Sequence, residues 1–194
     1  MKKNFIKATT VSIFVFMLFF HSYARAQQSE TQEIFPLKAN FVSEKEADKV
    51  FKNSQRLIIK GSKGYSRGTY LKFDNIQFKN NPIKKAELVL QCEKMGNEST
   101  NDVHVIVGVV SDNWSEDKIS WKNSPIPKST AGKTVIKSKG PVKIDITDFI
   151  KKIAQEKKTR FSLVLADLKK SGRLVFIFGL SNQNNKPRIK INYK

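Results

Sequence analysis

The chain has 194 residues, 36 of them lysine or arginine against 17 aspartates and glutamates, for a formal net charge of +19. That length suits one domain with a sizeable core. A single cysteine excludes an intramolecular disulfide framework, so the packing of the core has to carry the stability.

MKKNFIK is a cationic start, VSIFVFMLFF a short apolar run, and Ala24-Arg25-Ala26 a small-x-small site, so residues 1–26 read as a secretory signal peptide. The run of about ten apolar residues falls short of the ~20 that span a bilayer, so no stable membrane insertion is expected. Losing Lys2, Lys3, Lys7 and Arg25 with the signal lowers the net charge from +19 to +15. The polar residues 27–40 read as a flexible lead, and residues 41–194 as the folded domain.

Strand signals with period two then dominate. RGTYLKFD (67–74) places Leu71 and Phe73 inward and Tyr70 and Lys72 on the opposite face. KKAELVLQCEK (84–94) alternates apolar and polar, with Cys92 in step with Ala86, Leu88 and Leu90 as a buried small hydrophobe. VHVIVGVV (103–110) is β-branched. Next comes SDNWSEDKISWKNSP (111–125), which holds both tryptophans of the chain, Trp114 and Trp121. They are either a sugar-stacking platform or a loop clasp packed on the sheet, and the clasp is the expectation here. Glu116 is expected to bond backbone amides of that loop.

Thr147 could cap a short helix in ITDFIKKIAQEKK, with Phe149, Ile150 and Ile153 as its apolar stripe. FSLVLADL (161–168), RLVFIFGL (173–180) and KPRIKINYK (186–194) return to strand character, the last with Ile189, Ile191 and Tyr193 on one face. Asn-Asn-Pro at 80–82, Ser-Gly at 171–172 and Asn-Asn-Lys-Pro at 184–187 are turn signals. Many short strands and one short helix predict an all-β, two-sheet β-sandwich.

RGTYLKFD, KKAELVL, DNWSEDKISWKNSP, KIDITDFI (143–150) and KPRIKINY together resemble the jelly-roll modules of the DNRLRE domain family, which includes alginate-binding carbohydrate-binding modules. Trp114, Glu116, Ile119, Trp121, Pro125, Asp145 and Thr147 stand in the matching places. The chain departs from the pattern in a shortened loop before Arg67 and in Asn182, where a glutamate is common. The resemblance implies a jelly roll, a polysaccharide ligand, and a basic groove built from the amino-terminal strands.

Catalytic groups are scarce. Beyond the signal there is one histidine, His104, which excludes a histidine-based triad or a multi-histidine metal site. Asp112, Glu116, Asp117, Asp145 and Asp148 have no spacing that pairs them as glycosidase carboxylates, and turn or cap roles account for each. Tyr65, Tyr70 and Arg67 supply a nominal lyase set. No enzyme and no cofactor is therefore expected, and a metal ion is left open.

The basic balance points to a polyanion, and for an exported protein that means uronate or sulfated polysaccharide and not nucleic acid. Basic residues concentrate in RLIIKGSKGYSRGTYLKFD (56–74), so Arg56, Lys60, Lys63, Arg67, Tyr70 and Lys72 are the predicted contacts: a fork donor, point charges and one aromatic ring. The alternatives are a structural or adhesive surface module with a protein partner and, more weakly, a polysaccharide lyase. Polysaccharide-degrading enzymes would be natural companions. Mass spectrometry of the exported protein should find Gln27 as the first residue; full-length chain in the cytosol would overturn the leader assignment.

Overall fold

A computed structural model describes residues 30–194 apart from Asn53, Asn97 and Glu98, so the predicted leader lies outside the described residues. The strands are, in chain order, β1 (Thr31–Ile34), β2 (Lys38–Ser43), β3 (Arg56–Ile59), β4 (Arg67–Phe73), β5 (Ile83–Met95), β6 (Val103–Val110), β7 (Ser129–Ile136), β8 (Gly140–Asp145), then after helix α1 (Thr147–Gln155) come β9 (Phe161–Asp167), β10 (Val175–Phe178) and β11 (Arg188–Tyr193). They form two antiparallel sheets. The five-stranded sheet runs β2-β4-β9-β6-β7, and the six-stranded sheet runs β1-β11-β5-β10-β3 with β8 also on β5.

Thirteen-residue β5 organises the larger sheet. Glu87 is opposed by both Asp145 and Lys190, and Cys92 by both Gly140 and Ile177. Strand β8 therefore lies along one edge, while β10 and β11 follow one another along the other. Alternation sends Ala86, Leu88, Leu90 and Cys92 inward to meet Leu71, Phe73, Val105, Val107, Leu163 and Leu165 of the facing sheet. Cys92 is 1% exposed, and burial pushes its thiol up from its ordinary value. The core is that of the predicted all-β sandwich.

Residues 31–40 are not a flexible lead. Strand β1 pairs with β11 from Thr31 opposite Asn192 to Ile34 opposite Ile189, and β2 pairs with β4. The segment reads as polar because β1 is an edge strand with only Ile34 packed on the core, and buried Pro36 marks the crossing to the other sheet. Tyr193, fully buried, donates its hydroxyl proton to the Gln32 side-chain oxygen and accepts the Lys79 N–H at 3.3 Å, which further pins this end.

Helix α1 closes one end of the sandwich with Ile150 and Ile153 buried and Phe149 set edge-on against Phe161, ring centroids 5.1 Å apart. Thr147 is the first helical residue and not its cap. Asp145 serves the helix start, its carboxylate accepting the Thr147 N–H at 2.9 Å and the Thr147 hydroxyl at 2.6 Å. Those two bonds hold the Asp145 carboxyl below its ordinary value. The Thr147 oxygen accepts the Ala86 N–H at 3.0 Å, tying the helix to β5.

Where the sheets meet edge to edge, Gly132 of β7 lies so close to β8 that a Cβ there would stand 2.4 Å from the Asp145 carbonyl oxygen. No side chain fits without opening this seam. Gly132→Ala should destabilise the fold by about 1–3 kcal/mol, as overpacking does, and lower the melting temperature by several degrees. An unchanged thermal melt would show that the seam is not closed.

Candidate functional site

Residues 111–128 lie across the outer face of the five-stranded sheet. Trp114 is 7% exposed and clusters with Val42, Tyr70, Val110, Ile119 and Val164, with Trp121 half-buried beside them. The Trp114 indole N–H donates to the Ser162 hydroxyl at 3.1 Å, and the ring meets Tyr70 edge-on at 6.0 Å. Gly108 makes room for the loop, because a Cβ there would sit 2.8 Å from Pro127. The clasp is a second, small core outside the sheet, and Trp121 is less enclosed in it than expected.

This cover removes two predicted contacts. Tyr70 and Lys72 do point to the outer face, but that face is occupied. Tyr70 is 5% exposed and donates its hydroxyl proton to the Pro125 carbonyl at 3.2 Å, and burial pushes its phenol up. The Lys72 ammonium donates to the Trp114 carbonyl at 2.6 Å and lies 5.1 Å from the indole centroid, a cation–π contact that locks the loop. Glu116 also departs from expectation: its carboxylate faces Lys38 at 3.4 Å. The loop backbone is served instead by Asn123, which accepts the Ser120 N–H and donates to the Lys118 carbonyl, both at 2.8 Å, and by Asn40, which donates to the Glu116 carbonyl at 3.0 Å.

Arg56 lies apart on the outer face of the other sheet. Its guanidinium forks onto Glu93 at 2.6 and 2.7 Å, which holds the Glu93 carboxyl below its ordinary value and occupies the fork.

Lys60, Lys63 and Arg67 do come together, on the hairpin that carries the chain from β3 in one sheet to β4 in the other. Lys60 and Arg67 are directly opposed, exchanging N–H···O bonds of 3.1 and 2.8 Å, which sets their side chains next to each other. The tip is the turn Ser62–Tyr65, closed by the Tyr65 N–H on the Ser62 carbonyl, with Gly64 at φ 74° where a side chain would be strained. This turn presents Lys63 and Tyr65 to solvent, Tyr65 at 51% exposure with the Lys45 ammonium 5.3 Å from its ring.

The β9–β10 turn docks on the same hairpin: the Gly172 N–H donates to the Gly61 carbonyl at 2.8 Å. Buried Asp167 shapes it by accepting the Lys169 N–H at 3.1 Å and the Ser171 N–H and hydroxyl at 2.7 and 2.6 Å, which leaves Lys169 and Lys170 exposed at the rim. Two acids face this end. Glu44 accepts the Ser66 N–H at 2.9 Å, and Glu46 is held by Lys49, which together with nearby Arg67 keeps its carboxyl low. Among the described residues, no acid lies within ion-pair distance of Lys60, Lys63 or Arg67. From the sequence, Tyr65 enters only as part of a nominal lyase set, and Lys169 and Lys170 are not among the predicted contacts. The Lys-Gly-Tyr turn was the available signal, because a glycine at a hairpin tip puts its neighbours in water.

Three of the five carboxylates considered for catalysis are engaged by partners of their own. Asp145 serves α1, Glu116 faces Lys38, Asp117 lies 3.9 Å from Lys52, and Asp112 and Asp148 are on separate segments. No three His, Cys, Asp or Glu side chains converge to hold a metal ion among the described residues, and no helix there is long and apolar enough to cross a membrane.

Residues 30–193 match the family model described as carbohydrate-binding module family 96, and the chain belongs to that family. No curated protein matches it.

If Trp114 is a clasp, Trp114→Ala should cost about 3–5 kcal/mol of stability, read as a large drop in the denaturation midpoint. Trp121→Ala should cost less. Full stability together with lost glycan binding would instead make the indoles a sugar platform.

Proposed function

We propose that this member of carbohydrate-binding module family 96 is a secreted, non-catalytic module that binds acidic polysaccharide through the β3–β4 hairpin end. The observation that carries the reading is the adjacent Lys60 and Arg67, with no acid within ion-pair distance among the described residues, beside solvent-exposed Tyr65. Arg67 supplies a planar fork for a uronate carboxylate, Lys60 and Lys63 supply point charges, and the Tyr65 ring gives the C–H face of a pyranose something to pack against. Lys45, already over that ring, adds charge without needing to move.

Three further points support the reading. The net charge, +15 once the leader is lost, favours a polyanion, the amino terminus reads as an export signal, and the resemblance to DNRLRE-type modules favours alginate or another uronate chain. Such a module works outside the cytoplasm, alongside enzymes that degrade the same polysaccharide. Because the contact is ionic and lies at the surface, added salt should weaken it over a screening length of about 8 Å at physiological strength.

The test is a binding titration against alginate and against a neutral glucan at two salt concentrations. Alginate should bind with steep salt dependence, and the glucan should bind little at either. Arg67→Ala should weaken alginate binding by roughly ten- to hundredfold, as the loss of a charged hydrogen bond does. The double change Lys128→Ala/Lys133→Ala, on exposed residues of the clasp loop and β7, is the control. Equal weakening by that control would leave only a diffuse positive surface. Rising ultraviolet absorbance during incubation would replace binding by lyase chemistry.

A further inference from the structure

At the end of the sandwich remote from the hairpin lies a groove of about 480 Å³, within the size range of small-ligand sites, between α1 and the start of β5. Strand directions fix its position. Strand β4 leaves the hairpin at Arg67 and ends at Phe73, opposite Phe161 at the start of β9, and the groove is built from the segment that follows together with α1. Strand β5, thirteen residues at about 3.3 Å each, sets the two ends roughly 40 Å apart.

The groove has an apolar floor of Pro82, Ile83 and Ala154, amides from Asn81 and Gln155, and a rim of lysines. Lys79 and Asn81 are both bonded to Glu30. Lys84 and Lys151 are exposed, and among the described residues no acid lies within ion-pair distance of either, although the Lys151 charge is felt by Asp145 at the helix start. Lys84 is also singled out by the backbone. On β11, Asn192 opposes Lys85 and Tyr193 opposes Ile83, so Lys84 is the extra residue of a β-bulge. A bulge re-aims a side chain at the rim of a sheet, and here it turns a strand residue toward the groove while Ile83 stays in the core.

We propose that this groove is a second site for an anionic sugar unit, bearing carboxylate or sulfate, and that the module is bivalent, able to bridge two polyanionic chains or two stretches of one. Lys84 and Lys151 hold the anion from the strand side and the helix side, the amides take hydroxyls, and the apolar floor packs against the ring. The inference rests on the hairpin reading above and adds to it. With the sites so far apart, a long chain engages both with an effective concentration that neither site has alone, and a short oligosaccharide does not.

Calorimetric titration with a uronate trisaccharide, repeated with a sulfated one, should give about two bound per wild-type chain for whichever anion the groove accepts. It should give about one for Lys84→Ala/Lys151→Ala and about one for Lys60→Ala/Arg67→Ala. Mixed with long polyuronate, the wild type should scatter light maximally at an intermediate ratio, and either double variant should abolish that maximum. One trisaccharide per wild-type chain, with binding intact in Lys84→Ala/Lys151→Ala and lost in Lys60→Ala/Arg67→Ala, would overturn bivalency and leave the hairpin site standing. Absence of binding to either trisaccharide and to the polymer would overturn the hairpin reading itself. Thermal melts of both variants, expected to match the wild type, exclude misfolding as the cause.

Discussion

Strand β4 is enclosed on both faces, and most of the molecule's arrangement follows from that constraint. Its inward residues, Leu71 and Phe73, are fully buried in the main core, and its outward residues, Tyr70 and Lys72, are pinned beneath the Trp114 loop. A half-covered sheet would have offered a broad flat surface for a glycan. Closing it withholds that face, and under the proposed function recognition lies at the strand ends, where side chains leave the sheet through turns. The hairpin at Lys60–Arg67 and the bulge at Lys84 are two such exits.

The distribution of charge follows the same division. On the outer face of the larger sheet, Arg56 lies on Glu93, Lys85 on Glu87 and Arg188 on Glu33, at 2.6, 2.7 and 2.9 Å. Exposed pairs of this kind contribute little to stability, but they cancel charge locally. The surplus cations collect where no acids were set opposite them.

The parts of the fold that could be read from sequence were those with a strong physical signature in a short window. Residues 103–110 and 161–168 announce buried strands by β-branching and aliphatic content, and 186–194 by strict alternation, because central strands have to satisfy a core on one side. Edge strands carry no such demand. β1, with Ile34 alone packed on the core, reads as coil, and β7, with Ala131 and Gly132 in its middle, has too little side chain to show a period. The candidate site divides likewise. Lys60, Lys63 and Arg67 are adjacent in sequence across one turn and remain so in space. Tyr70 and Lys72 were assigned to the correct face, but the segment that covers it is some forty residues further on, and no local pattern reveals a long-range cover. Asp145 and Thr147 were similarly confused, since two residues apart either oxygen can reach the helix start and the backbone angles decide between them.

The position of β11 bears on how the chain reaches this state. The strand lies between β1 and β5, and the bond from the Thr31 hydroxyl to the Asn192 side-chain oxygen spans 161 residues. The larger sheet is therefore incomplete until residues 188–193 are available to bridge its first strand to its longest, and closing loops of that size comes late and slowly in folding. Until β11 is made, β1 and the facing edge of β5 have no partner in this sheet. That is a hazard for a protein folding where it is made, and an advantage for one that has to be threaded through a narrow channel before it folds.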